Sequence, residues 1–223
     1  MVPPIFDGLP VKGLFTTKGA ASSLQTVSGL LSVTARDIYL PIQEHTDRVL
    51  VIDYDTEPRL ADAVLTNRRG VFVGIRTADC VPLLLYDKKR SVAGAVHAGW
   101  RGTAAGILKK ALRTMTERFS SSPEDILIAV GPAIGCCCYE VGPEVPDGVL
   151  KASGAGDYIK MKGSRHHIDL PEANRLQALS MGILQENIWL SGECTFCNPD
   201  KYYSYRHDKG VTGRQYAIIG ITR

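Results

Sequence analysis

The chain has 223 residues, 44% of them hydrophobic and 22% charged, with a formal net charge of +3 spread along its length. That is enough for one large domain, expected over residues 1–223, with a substantial core and an ordinary soluble surface. The weak, dispersed basic bias suits an anionic small molecule and lacks the clustered basic face of a nucleic-acid binder.

The opening Met1-Val2-Pro3-Pro4-Ile5-Phe6-Asp7 has neither the basic start nor the apolar run of a signal peptide. No segment approaches the roughly 20 apolar residues of a membrane helix, so a cytoplasmic location without a membrane partner is expected. Apolar runs of strand length follow at 38–43, 49–53, 71–75, 81–86, 92–96, 126–130 and 216–221. Several lack alternation, as strands buried on both faces by helices do. The spacing of Ala104, Leu108, Ala111, Leu112, Met115 and Phe119 predicts a helix over 103–119, with Lys109, Lys110 and Arg113 on its other side. A second helix is expected over 171–181, with Pro171 in its first turn. Gly154-Ala155-Gly156 and 162–165 read as loops. Together these elements predict an α/β (α+β) fold, a single-domain layered sandwich with a mixed β-sheet flanked by helices.

Six cysteines in a reducing compartment are expected to be thiols or metal ligands. Chemistry concentrates in Thr77-Ala78-Asp79-Cys80-Val81-Pro82 and Val96-His97-Ala98-Gly99-Trp100-Arg101-Gly102, each at the edge of an apolar strand. Loops converge at such strand ends over a rigid sheet. The Gly99-Trp100-Arg101-Gly102 turn feeds the predicted helix, so free backbone N–H groups and the helix dipole make it a natural anion site, and Arg101 adds a bidentate grip on phosphate. Cys80 and His97 lie too far apart in sequence for spacing to join them.

These segments resemble the signature of the laccase-domain family, first described as multicopper polyphenol oxidoreductase and now regarded as zinc-dependent purine nucleoside phosphorylases with adenosine deaminase activity. Gln43-Glu44-His45, Asp62-Ala63-Val64-Leu65-Thr66-Asn67, Gly131-Pro132-Ala133-Ile134-Gly135, Tyr139-Glu140-Val141-Gly142, Ser204-Tyr205-Arg206 and Thr212-Gly213-Arg214-Gln215 resemble it too, covering about residues 38–221. The resemblance implies a zinc ion held by His45, Cys80 and His97. Two imidazoles and a thiolate leave one position open, the pattern of a catalytic zinc. It further implies catalytic roles for Cys80, His97 and Arg101, and nucleoside and phosphate as small-molecule partners, with Arg101, Arg206 and Arg214 binding phosphate. Copper is an alternative metal.

The chain departs from the family pattern in places. Ala20-Ala21-Ser22-Ser23-Leu24-Gln25 is a shortened echo of a Ser-Leu-Asn element, and Arg206-His207 stands where Arg-Arg is usual. Two other activities fit some of the residues. One is a cysteine hydrolase with Cys80 as nucleophile and His97 as base, since the family's fold resembles that of certain deamidase toxins. The other is a copper-dependent polyphenol oxidase, for which five histidines are few. Cys194-Thr195-Phe196-Cys197 has the spacing of half a zinc site, and Cys136-Cys137-Cys138 would have to supply the other half. Consecutive cysteines make poor tetrahedral ligands, and the resemblance, in which Cys194-Thr195 matches a recurring Cys-Thr pair near the site, implies that Cys194 stands in a wall of the site. His166-His167 is expected in a surface loop, and Ser121-x-x-Glu124 to cap at most one short turn.

Overall fold

The computed structural model describes residues 1–21, 23–54 and 57–223; Ser22 of the Ser-Leu-Asn echo lies outside them. In chain order the elements are β1 (Val11–Phe15), α1 (Leu24–Leu31), β2 (Ile38–Tyr39), β3 (Val49–Val51), β4 (Ala63–Thr66), β5 (Phe72–Thr77), β6 (Val81–Asp87) and β7 (Val92–Ala98). Then come α2 (Trp100–Ala104), α3 (Ile107–Phe119), β8 (Ile126–Val130), β9 (Glu140–Val141), α4 (Glu144–Ser153), β10 (Ile159–Lys162), β11 (Arg165–Ile168), α5 (Leu170–Ser180), β12 (Ile188–Leu190) and β13 (Gln215–Ile221).

Among the described residues the strands form a six-stranded sheet in the order β12-β8-β6-β7-β4-β3, a four-stranded sheet β1-β13-β5-β2, and a small sheet β10-β11-β9. The two larger sheets are mixed: β12 and β8 run parallel, as do β3 with β4 and β2 with β5, while the other pairs are antiparallel.

The unalternating apolar runs have a clear cause. Every residue of β6 and β7 is buried, and the two faces serve different cores. Val81, Leu83 and Leu85 face Leu108, Leu112 and Met115 of α3, with Val149 of α4 and Ala173 of α5. Leu84 and Tyr86 face Phe15, Val73, Ile75, Ala217 and Ile219 of the four-stranded sheet. The sequence reading expects helices on both faces; a second sheet covers one of them. The far side of that second sheet is closed by α1 through Val27 and Leu31 against Phe72 and Ile218.

Two local expectations are corrected. The predicted helix over 103–119 is split at Ala105 and Gly106, because Gly106 takes a left-handed conformation (φ 70°, ψ 38°) that ends one helical path and starts another. The apolar spacing stays in phase across the joint and hides it. As a result the turn at Gly99 opens a helix of five residues, too short for the dipole-based anion site expected there. His166 and His167 lie not in a loop but on β11, whose hairpin turn is built on Gly163 at φ 61°. His167 is buried, and its Nδ1–H donates to the Cys136 carbonyl at 3.0 Å. Residues 171–181 behave as expected: α5 carries Pro171 in its first turn, and the Asp169 side chain caps it by accepting from the Glu172 N–H. Pro123–Asp125 forms the expected short turn, without a side-chain cap.

A Cβ on Gly106 would meet nothing closer than 3.9 Å, so Gly106→Ala tests the backbone conformation alone. A left-handed alanine costs about 1 kcal/mol, and urea unfolding should show a loss of that size. An unchanged or raised stability would contradict the left-handed joint.

Candidate active site

Strand register gathers the site at the ends of interior strands of the six-stranded sheet. Antiparallel pairing sets Val81 of β6 opposite Ala98 of β7, and Pro82 opposite His97. Cys80, one residue before β6, therefore emerges beside Gly99. On the other flank Ala63 of β4 pairs with Val96, so Asp62 emerges beside His97, and the His97 N–H donates to the Asp62 carbonyl at 2.7 Å. His45 arrives on the loop between β2 and β3.

The outcome is a cluster of three donors: one ring nitrogen each from His45 and His97 and the Cys80 sulfur, all within 4.8 Å of one another. Cys80 Sγ stands 3.8 Å from His45 Nε2. Zinc–ligand bonds of about 2.0–2.3 Å place neighbouring tetrahedral ligands about 3.5–3.8 Å apart, so the set fits a metal ion with little adjustment. Gly99 makes room for it: a Cβ there would lie 3.0 Å from Cys80 Sγ and 3.1 Å from His45 Cδ2. His97 is buried, Cys80 half-buried and His45 exposed, so the cluster opens to solvent on the His45 side. A cavity of about 520 Å³ lined by Lys12, Val33, Asp37, Phe72 and Arg223 shares no residue with it.

Asp62 holds the cluster together. Its carboxylate, fully buried, accepts from the backbone N–H groups of Glu44 (3.3 Å), His45 (3.1 Å) and Thr46 (2.6 Å), from the Thr46 hydroxyl (2.7 Å) and from His97 Nδ1 (2.7 Å). Burial pushes the Asp62 carboxyl up, but these bonds outweigh it and bring it down to about 2. With Nδ1 committed to Asp62, the other ring nitrogen of His97 is the one available to a ligand. Burial likewise disfavours charge on His97 and Cys80. The Cys80 thiolate and Asp62 nonetheless bring His97 up to about 9, and His97 and His45 bring the Cys80 thiol down to about 6. Without metal the pair is poised as thiolate and imidazolium.

The expected arginines divide. The Arg206 guanidinium lies 5.2 Å from the centre of the Tyr139 ring and donates to the Glu140 carbonyl at 2.9 Å, while its backbone N–H donates to the Asp79 carboxylate at 2.7 Å. Arg101 stacks on Trp100, 4.4 Å from the ring centre, and its charge also acts on the Tyr139 hydroxyl. Arg214 is turned into its own loop, bonded to the Thr212 and Gly213 carbonyls and set over Tyr205. His207 pairs with Asp208 at 2.9 Å.

Sequence reading singled out no role for Asp62, Asp79 or Tyr139. Burial pushes the Tyr139 hydroxyl up, the negative charges of Cys80 and Asp79 push it further, and it stands at about 12. Asp79, left-handed at φ 85°, accepts from the Thr195 hydroxyl at 2.6 Å, and its carbonyl accepts from the Ile134 N–H at 2.9 Å. All three lie in segments quoted for the resemblance. The partners of Asp62 and Asp79, though, include residues from 16 to 127 positions away in the chain, and only the fold reveals them.

A second cluster among the described residues joins Cys137, Cys138, Cys194 and Cys197, whose sulfurs all lie within 4.8 Å of one another. Of the three consecutive cysteines, two, Cys137 and Cys138, thus come beside Cys194 and Cys197. The turn after Gly135, where the Cys138 and Tyr139 N–H groups both bond the Gly135 carbonyl at 3.0 Å, brings neighbouring side chains to one side.

Residues 18–222 match the family model described as "Multi-copper polyphenol oxidoreductase laccase". The chain is 37% identical over 171 residues to purine nucleoside phosphorylase YlmD of Bacillus subtilis, covering 76% of this chain and 62% of that protein. It is 36% identical over 229 residues to a Bacteroides thetaiotaomicron purine nucleoside phosphorylase, covering 97% and 84%. It is 34% identical over 207 residues to adenosine deaminase RL5 of an unknown prokaryotic organism, covering 87% and 79%. The crystal structure of YlmD from Geobacillus stearothermophilus superposes with a TM-score of 0.91 at 29% identity, covering 99% of this chain and 94% of that one. The chain belongs to the multi-copper polyphenol oxidoreductase laccase family.

Proposed function

We propose that residues 1–223 act as one domain that phosphorolyses purine nucleosides such as adenosine and inosine and also deaminates adenosine. In this reading zinc is held by His45, Cys80 and His97, and the enzyme works in the cytoplasm on nucleoside and phosphate. The observation that carries the proposal is the convergence of those three donors around the Asp62 brace, in a chain whose relatives are named for these two activities. Three protein donors leave a fourth position open, as catalytic zinc requires. When bound, zinc supplies Lewis acidity and activates water at neutral pH. Copper also accepts two imidazoles and a thiolate, so metal analysis belongs to the test. Among the described residues no histidine cluster of multicopper size is present, and no helix is long and apolar enough to cross a membrane.

In phosphorolysis a phosphate oxygen bonds to C1′ of the ribose while the C1′–N bond to the purine breaks, through a transition state of oxocarbenium character. Arg206 and Arg101, whose charges both act on the Tyr139 hydroxyl, supply the positive charge that holds phosphate; Arg214, turned away, is the weakest of the three expected. Tyr139 keeps its proton at neutral pH and is available as a hydrogen-bond donor to substrate. In deamination, oxygen from water replaces the C6 amino group and ammonia leaves.

Pure protein incubated with inosine and phosphate should release free base, and with adenosine should yield inosine, both followed by chromatography. Arg206→Ala and Arg101→Ala should keep the zinc and raise the phosphate KM at least about tenfold, the loss of one charge-assisted contact. Absence of both products from protein carrying zinc at the His45 site would overturn the assignment.

Bracing groups behind metal ligands are worth about 10–100-fold in metal affinity. Asp62→Asn turns an amide donor toward the His45–Thr46 N–H groups, so chelator competition should show weaker zinc binding within that range. Unchanged affinity would remove Asp62 from the metal site.

The thiolate–imidazolium pairing of Cys80 and His97 favours one other reading, the cysteine hydrolase. Iodoacetamide separates the two: zinc-loaded protein should be protected at Cys80 and chelator-treated protein labelled. Rapid labelling of the zinc-loaded protein would favour the nucleophile.

A further inference from the structure

The four-cysteine cluster takes no part in the chemistry above, and its geometry is that of a closed metal site. The closest sulfurs are those of Cys138 and Cys197, 3.3 Å apart, with Cys137 and Cys197 at 3.6 Å. The edge of a tetrahedron with zinc–sulfur bonds of about 2.3 Å is about 3.8 Å, slightly longer than these two separations and inside the 4.8 Å that bounds all four sulfurs. A disulfide needs about 2.05 Å between two sulfurs; here four converge, and two of them, Cys137 and Cys138, stand at similar distance from the same partner.

Both flanking segments are built to hold the sulfurs in place. The Ala133 and Thr195 backbones bond each other, the Thr195 N–H donating to the Ala133 carbonyl at 3.0 Å, so the turn carrying Cys137 and Cys138 is tied to the one carrying Cys194 and Cys197. The Gly135 N–H donates to Cys194 Sγ at 3.2 Å, a bond that favours the thiolate. A Cβ on Gly135 would lie 3.3 Å from Cys137 Sγ and 3.4 Å from Cys194 Cβ, so the glycine leaves room for the cluster. The Lys162 ammonium sits on the Cys137 carbonyl at 2.8 Å, a positive charge beside what would be a centre of net negative charge. Cys136 is not part of the group; its carbonyl is taken by His167.

We infer that Cys137, Cys138, Cys194 and Cys197 bind a second zinc ion in an all-thiolate, structural site distinct from the His45, Cys80 and His97 set. On binding, each thiol loses its proton to solvent as its sulfur bonds the metal, giving four thiolates around one dication and no open position. The ion clamps two walls of the active site. Tyr139 directly follows Cys138, and Thr195, which holds the Asp79 carboxylate, directly follows Cys194. The inference is independent of the nucleoside reaction.

The test is zinc content by elemental analysis together with X-ray absorption at the zinc edge. Wild-type protein purified under reducing conditions should hold two zinc ions per chain. His45→Ala/His97→Ala should keep one, surrounded by sulfur alone at about 2.3 Å, and Cys194→Ser/Cys197→Ser should keep one with mixed nitrogen and sulfur ligands. Should the cysteine variant not fold, the wild-type spectrum carries the same answer, because zinc at the His45 site alone has one sulfur neighbour. The inference is overturned if the histidine variant holds no zinc, or if mass spectrometry of the wild type finds a disulfide among these cysteines. If the histidine variant keeps its all-sulfur zinc while the wild type turns over no nucleoside, the proposed function fails and the second site stands.

Discussion

The buried carboxylate of Asp62 is the constraint on which the rest of the site depends. A carboxylate without water is strongly destabilising unless its lone pairs are met, and Asp62 meets them with donors from two different elements: the 44–46 loop and the His97 ring on β7. Satisfying one buried charge thus fixes the His97 imidazole directly and the backbone that carries His45. Asp62 reaches its place through register, since β4 pairs with β7 so that Ala63 faces Val96. A slip of one residue would turn every side chain of the strand to the other face, and the brace would be lost along with the core packing of Val64 and Leu65.

Two of the six non-glycine residues with positive φ among the described residues stand in the site. His45 (φ 58°) and Asp79 (φ 85°) are non-glycine residues in the left-handed region, a conformation that costs on the order of 1–3 kcal/mol when imposed by surroundings. Each is held by hydrogen bonds at its own position. The His45 N–H is tied to Asp62, and Asp79 is tied through its carboxylate to Thr195 and Arg206 and through its carbonyl to Ile134. The strain lets His45 turn its ring toward Cys80 and lets the chain leave Asp79 directly into β6 with Cys80 at the strand end.

Much of this was legible in the residues. The buried strands 81–86, 92–96 and 126–130 announce themselves as apolar runs, and β8 has the bounds its run implies. His45, Cys80 and His97 rest on the resemblance, since nothing in their spacing joins them; the fold does so through the pairing of β6 with β7. What stayed hidden shares a physical reason. The strands β1, β4 and β12 are short and carry little periodicity. The joint at Gly106 leaves the apolar phase of the helix undisturbed. The four-cysteine cluster is hidden because consecutive cysteines make poor tetrahedral ligands unless a tight turn, here at Gly135, brings their side chains to one side. Asp62 and Asp79 act through partners distant in sequence, which no local pattern encodes.

The positioning of Arg206 shows how these parts combine. Its guanidinium is aimed by the Glu140 carbonyl and the Tyr139 ring, and its backbone by Asp79. Tyr139 and Thr195 each sit one residue from a cysteine of the second cluster, and Thr195 holds Asp79. A shift of the turn at Gly135 would therefore move the Arg206 guanidinium relative to Cys80 without altering His45, Cys80 or His97. Two donors of the proposed catalytic ion, Cys80 and His97, stand at strand ends anchored in the sheet, whereas His45, Tyr139 and Arg206 stand on loops. Side chains on loops hold a geometry only when something stiff ties the loops together. Backbone bonds from Ala133 to Glu193 and Thr195 supply part of that stiffness, and four sulfurs drawn to one ion would supply the remainder, making the cysteine cluster the counterpart, in the loops, of what Asp62 does within the sheet.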